Sequence, residues 1–147
     1  MISGERAKVE VAVSLAREHG IRRATMLNVA GAYHSRLMQI AYEKLGHALI
    51  DVEMQLPRFP VVSNVTGEEV KTLPDIRRTL QDQVTSTVRW VDCIERLVDL
   101  GCDLFIELGP GGVLAGLLKR TRKDVDVVSV SDAESARSCV ERIGAAN

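Results

Sequence analysis

The 147-residue sequence contains no Gly-x-Ser-x-Gly segment, so no serine stands in the strand-to-helix elbow that exposes a hydrolase-type nucleophile. A self-contained active site of that kind is thereby excluded. An excess of charge of one sign is also missing. Nineteen basic against twenty acidic residues leave a formal net charge of -1, which argues against a nucleic-acid surface and against an anionic membrane as partner. Cysteine is scarce. Cys93, Cys102 and Cys139 are an odd number without a C-x-x-C pair, so a disulfide framework or a zinc site is not expected, and reduced thiols suit a cytosol. No apolar run approaches the roughly 18 residues that a bilayer span needs. The first residues lack a basic-then-apolar signal pattern, and the expected location is the cytoplasm. Internal repeats and low-complexity stretches are absent as well.

What the chain does have is a composition of 46% hydrophobic and 27% charged residues with mean hydropathy +0.03, which fits one globular unit with a core of its own. Ser3 is placed to cap a helix carrying Val9, Val13 and Ala16 at helical spacing and stopping at Gly20. A short apolar strand is expected over Ala24 to Val29, delivering the chain to Gly31 and, just beyond the strand end, His34. Leu37, Met38, Ala41, Leu45, Ala48, Leu49 and Val52 trace the core-facing side of a long helix.

Pro57 and Pro60 break that pattern, and Val61-Val62 begins a second strand ending near Asn64, with a turn over Thr66-Gly67-Glu68. Leu73, Ile76, Leu80 and Val84 predict a helix ended by Thr85-Ser86-Thr87. Another carries Val88, Val91, Ile94, Leu97 and Val98 and stops at Gly101. Leu104 to Leu108 reads as a parallel strand covered on both faces, followed by a tight Gly109-Pro110-Gly111-Gly112 loop into a helix near Val113. A last strand spans Val125 to Val130. Ser131 with Glu134 then forms a capping-box signature for a helix running to about Gly144. Such alternation predicts an α/β architecture around a mainly parallel sheet, with His34, Asn64 and the Gly109 loop at strand ends, positions from which they can converge on one pocket.

The residues alone leave their roles open. A histidine at a strand end is more often an ordinary hydrogen-bonded or exposed side chain than a base, and His19 and His47 are read that way. Gln83 is by itself an unremarked glutamine near a helix end. The Gly109 loop has neither a Gly-Lys-Ser/Thr ending nor G-x-G-x-x-G spacing, so it reads as a turn and not as a phosphate cradle. Trp90 is assigned to packing, and Arg89, Lys119 and Arg120 to solvated faces that an acidic partner could also use.

Four separated blocks change those odds. They are Gly31-Ala32-Tyr33-His34-Ser35 with Leu37-Met38; Pro60 through Gly67; Gln83 leading through Thr85-Ser86 to Val88-Arg89-Trp90; and Glu107-Leu108-Gly109-Pro110-Gly111 with Val113-Leu114 and Lys119-Arg120. In order and spacing the chain resembles the C-terminal half of the malonyl-CoA:acyl carrier protein transacylases of bacterial fatty acid biosynthesis. The resemblance implies that His34 is the base that takes the proton of a nucleophilic serine. It also implies that the main chain at Gln83 orients the ring where a carboxylate stands in other triads. Imidazole suits the task because it can both accept and return a proton near neutral pH.

The reaction implied is an S-malonyltransferase reaction, in which a malonyl group passes from malonyl-CoA through serine to the phosphopantetheine thiol of acyl carrier protein. No cofactor or metal is implied, and neither nucleic acid nor membrane as partner. The serine, an arginine for the malonyl carboxylate and part of the oxyanion hole lie in the family's N-terminal half, so a complementary half is an expected partner and the chain alone is expected to be inactive. Residues 1-30 would be the remnant of a ferredoxin-like small subdomain, and 31-147 the C-terminal part of an α/β hydrolase-like parallel-sheet subdomain. Uncovered apolar edges, marginal stability and association are expected of such a piece.

Departures from the family pattern are Tyr33 for a common phenylalanine, Arg36 and Thr87 for frequent prolines, and Gly112 for a frequent lysine. The bulk at Tyr33 keeps the lean towards malonyl over methylmalonyl. The alternative to an acyltransferase is a non-catalytic α/β binding module or an inactive product of the same family.

Overall fold

The computed structural model describes residues 1-145. Six α-helices and two strands follow one another as α1 (Arg6–Leu15), α2 (Gln39–Ile50), α3 (Leu73–Asp82), α4 (Trp90–Asp99), β1 (Leu104–Leu108), α5 (Val113–Thr121), β2 (Asp126–Val130) and α6 (Ala133–Ala145). A single 3-10 turn, Arg36–Met38, precedes α2. The chain divides into two compact units, one from Met1 to Trp90 and the other from Val91 onward.

In the second unit β1 and β2 pair in parallel, in the register Leu104 with Asp126 through Leu108 with Val130. Parallel strands need a crossover, which α5 provides. Its lead-in works because Gly109, Gly111 and Gly112 hold φ values of 125°, 118° and 143°, a region that side chains rarely enter. α4, α5 and α6 contribute the buried Cys93, Ile94, Leu118 and Cys139. The predicted capping box is displaced by one residue. Asp132 Oδ1 accepts from Ser135 N at 2.8 Å while Ser135 Oγ accepts from Asp132 N at 3.1 Å, so Asp132, not Ser131, opens α6. Arg142 then ties α6 to β2 through Asp126 at 2.7 Å.

The regular elements of the first unit are helices, joined by long irregular segments and one isolated bridge. Thr72 caps α3 by accepting from Asp75 N at 3.2 Å, Pro74 sits in its first turn, and α3 packs on α2. The Gly101 stop is seen as predicted, with Cys102 N bonded to Leu97 O at 3.1 Å, but α1 ends at Leu15, before the predicted Gly20, and a turn closed by Ile21 N on Ala16 O at 2.9 Å carries the chain on to Gly20.

Several expectations need correction. Ser3 does not cap α1; Glu5 holds the N-cap position without a side-chain cap bond, its carboxylate being paired with Lys8 at 2.9 Å. Ala24 to Val29 forms no strand, because an apolar run becomes one only against a partner and none pairs with it among the described residues. Val61-Val62 is reduced to one antiparallel bridge, Val62 to Glu69, closed by the predicted turn at Gly67. β1 is parallel but not covered on both faces: Leu108 is 79% exposed. No residue of α2 is fully buried either. The chain exposes 11100 Å², whereas a compact 16.1-kDa monomer exposes about 7,400 Å² and two separate globules of these sizes about 8,900 Å².

Candidate active site

His34 sits in the loop between α1 and α2 with φ 61°, the left-handed region, where it is the one non-glycine among the described residues. Two successive carbonyls at the end of α3 hold it there. Val84 O accepts from the His34 backbone N at 3.2 Å, and Gln83 O lies 2.9 Å from His34 Nδ1. A carbonyl only accepts, so this ring contact requires the proton on Nδ1 and leaves the lone pair on Nε2. The Gln83 side-chain nitrogen also lies 3.3 Å from Nδ1, and 3.5 Å from Ser86 O. It can donate to Nδ1 only in the other tautomer, and the shorter carbonyl contact decides between them.

Ser35, next in sequence, fixes the exit from the loop. Its hydroxyl donates to Ala32 O at 2.6 Å and accepts from Leu37 N at 3.3 Å, capping the 3-10 turn. An open groove of about 470 Å³ lies beside His34, lined by Ile2, Glu5, Lys8, Val9, Arg36 and Leu37 among others. Glu5 bridges two cations there, Lys8 at 2.9 Å and Arg36 at 3.4 Å. Tyr33 is half exposed at the rim of the same loop.

The structure therefore brings His34 and Gln83 together across 49 positions of sequence, both half-buried. Asn64 takes a main-chain part, its carbonyl accepting from Arg89 N at 2.8 Å; Ser63 Oγ accepts from Val65 N at 3.2 Å. Neither His34 nor Asn64 follows a strand. The Gly109 loop belongs to the other unit, and there sequence reasoning missed the residue that matters, Glu107. Its carboxylate accepts from Leu114 N at 2.9 Å and Ala115 N at 3.4 Å, and from Ser129 Oγ at 2.9 Å. The Leu114 amide foremost, helped by Ser129, holds this carboxyl below the usual range. The amides that start α5 thus have an anion of the chain's own, which agrees with a turn in place of a phosphate cradle. An acidic residue in a strand, one short glycine loop before a helix, was the available signal.

No cluster of three or more metal-ligating side chains occurs among the described residues, and no helix there is long and apolar enough to cross a membrane. The three cysteines are free thiols.

No family model matches the sequence. Individual relatives do. The chain is 38% identical over 143 residues to the malonyl CoA-acyl carrier protein transacylase of Bacillus subtilis, covering 97% of this chain and 45% of that protein. With the Staphylococcus aureus (strain COL) protein of the same name it shares 33% over 137 residues, 93% of this chain and 44% of that one. Among solved structures, the transacylase from Clostridium perfringens superposes with a TM-score of 0.87 at 33% identity, over 95% of this chain and 44% of that one. A malonyl-transacylase solved with its type II PKS acyl-carrier protein gives 0.89 at 34% identity, over 95% and 45%. The chain spans about half the length of the relatives it matches. In sequence and in fold it is homologous to the C-terminal half of the malonyl CoA-acyl carrier protein transacylases.

Proposed function

We propose that this chain supplies the general-base half of a malonyl-CoA:acyl carrier protein transacylase. The observation that carries the reading is the 2.9 Å contact from His34 Nδ1 to Gln83 O, which leaves Nε2 as a proton acceptor. The homology of nearly the whole chain to transacylases gives that acceptor a reaction to serve. His34 Nε2 takes the hydroxyl proton of a serine carried by a complementary N-terminal half as its oxygen attacks the malonyl thioester carbon. The imidazolium returns that proton to the departing coenzyme A thiolate. In the second half-reaction the ring takes the proton of the phosphopantetheine thiol of acyl carrier protein, and the thiolate displaces the malonyl group from serine, which recovers its proton. The Gln83 carbonyl steadies the imidazolium by orientation and a dipole, less strongly than a carboxylate does.

In this reading residues 1-30 are the remnant of a ferredoxin-like small subdomain and 31-147 part of an α/β hydrolase-like large one. Malonyl-CoA and acyl carrier protein are the substrates, the bulk of Tyr33 favours malonyl over methylmalonyl, and the setting is the cytoplasm. Mixing the chain with a complementary N-terminal half tests this directly. Malonyl transfer should appear in the mixture, fall by at least about a hundredfold with His34→Ala, and be absent from the chain alone. Transfer by the 147-residue chain alone would refute the mechanism.

A further inference from the structure

Gly46 lies in the middle of α2, where glycine is unfavourable in a helix, yet its lack of a side chain has a use. A Cβ at position 46 would overlap the side-chain amide of Gln81, which is seated over Gly46 from the facing helix α3. From that seat Gln81 Nε2 donates to the carbonyl of Tyr42, one turn earlier in α2, at 3.2 Å. The neighbouring residue repeats the link, since Tyr42 Oη donates to Asp82 Oδ1 at 3.4 Å. Both bonds fasten α2 to the last two residues of α3. The next two residues, Gln83 and Val84, present the carbonyls that hold the ring and the backbone of His34. The 3-10 turn joins the His34 loop to α2, so His34 and its two acceptors are carried by two helices whose relative placement Gln81 fixes.

We infer that Gln81, seated over Gly46, is a positioning residue for His34, acting through the Gln83 carbonyl to keep the ring proton on Nδ1. The inference rests on His34 being the base. Its test does not rest on acyl transfer, because the tautomer is read from the ring itself. In the full chain with 15N-labelled histidine at neutral pH, His34 is expected to show a protonated Nδ1 and a bare Nε2, while the exposed His19 serves as an internal reference. Gln81→Ala should move the two ring nitrogens towards each other, as in an unconstrained imidazole. Gly46→Ala should do the same by evicting the Gln81 amide, whereas a purely structural role predicts a change in the thermal midpoint with the ring nitrogens unmoved. Adding Gly46→Ala to Gln81→Ala should change the ring no further, since the new methyl then enters a vacated seat.

A ring that keeps its protonated Nδ1 in both single variants would overturn the role of Gln81 and leave His34 as the base. A wild-type ring protonated on Nε2 would overturn the assignment of the base itself, and the role of Gln81 with it.

Discussion

A histidine at φ 61° carries a backbone strain on the order of 1–2 kcal/mol, and the Val84 carbonyl on its amide opposes that cost. Asparagine tolerates the left-handed region, while a β-branched residue does not. His34→Asn is therefore expected to keep a thermal midpoint close to that of the wild type, and His34→Val to lower it, although both lose the proton acceptor; paired melting curves check this. Arg122 is the other residue with a sharply defined environment. Its guanidinium donates through Nε and Nη2 to both oxygens of Asp124, at 2.8 and 2.6 Å, and through Nη1 to Glu95 at 2.6 Å. The Arg122 hydrogen bonds, foremost, push Asp124 from an ordinary 3.8 down to about 2. A depressed carboxylate contributes stability that is present above its unfolded value and lost as the pH falls through the folded one. The wild-type melting temperature should thus drop more steeply than that of Asp124→Asn between pH 3.8 and about 2. Equal slopes would mean the fork contributes nothing to folding.

Among the elements, α3 is the one most completely specified by its own residues: a threonine cap, a proline in the first turn, an aspartate answering the cap, and a turn that ends it. Thr72→Ala should cost about 1 kcal/mol, read from denaturant unfolding of the chain. Apolar residues at helical spacing made α3 and α4 legible in the sequence, and a glycine able to take a positive φ did the same for the stop at Gly101. The pairing of His34 with Gln83 was legible for a different reason. His34 and Gln83 were joined by their match to a family pattern, because nothing local couples positions 49 apart. Where neither kind of signal existed, the reading failed. Ala24 to Val29 has strand composition, but a strand exists only when another supplies its hydrogen bonds. Ser131 and Asp132 are both good caps, and only geometry chose the second. Glu107 capping α5 and Gln81 seated over Gly46 are contacts across loops or between helices, invisible to periodicity.

For the whole molecule, the governing fact is how little apolar surface is hidden. Ala16, Cys93, Ile94, Leu118 and Cys139 are the buried apolar residues among those described, while Phe59, Ile40 and Val113 are more than 70% exposed. A chain with so much uncovered apolar surface should self-associate. Sedimentation of the isolated chain is expected to show oligomers or aggregates; a monodisperse monomer with a sharp melting transition would contradict this. The two-stranded sheet adds a consequence of another kind. A pair of strands has no interior member, so both β1 and β2 turn a row of peptide groups away from each other, with no further strand beside them among the described residues. Deuterium should enter these strands at alternate residues, fast on the outward row and slowly on the shared one. Docking of a third strand would silence the fast row, and isotope exchange would therefore report when and where this sheet gains a neighbour.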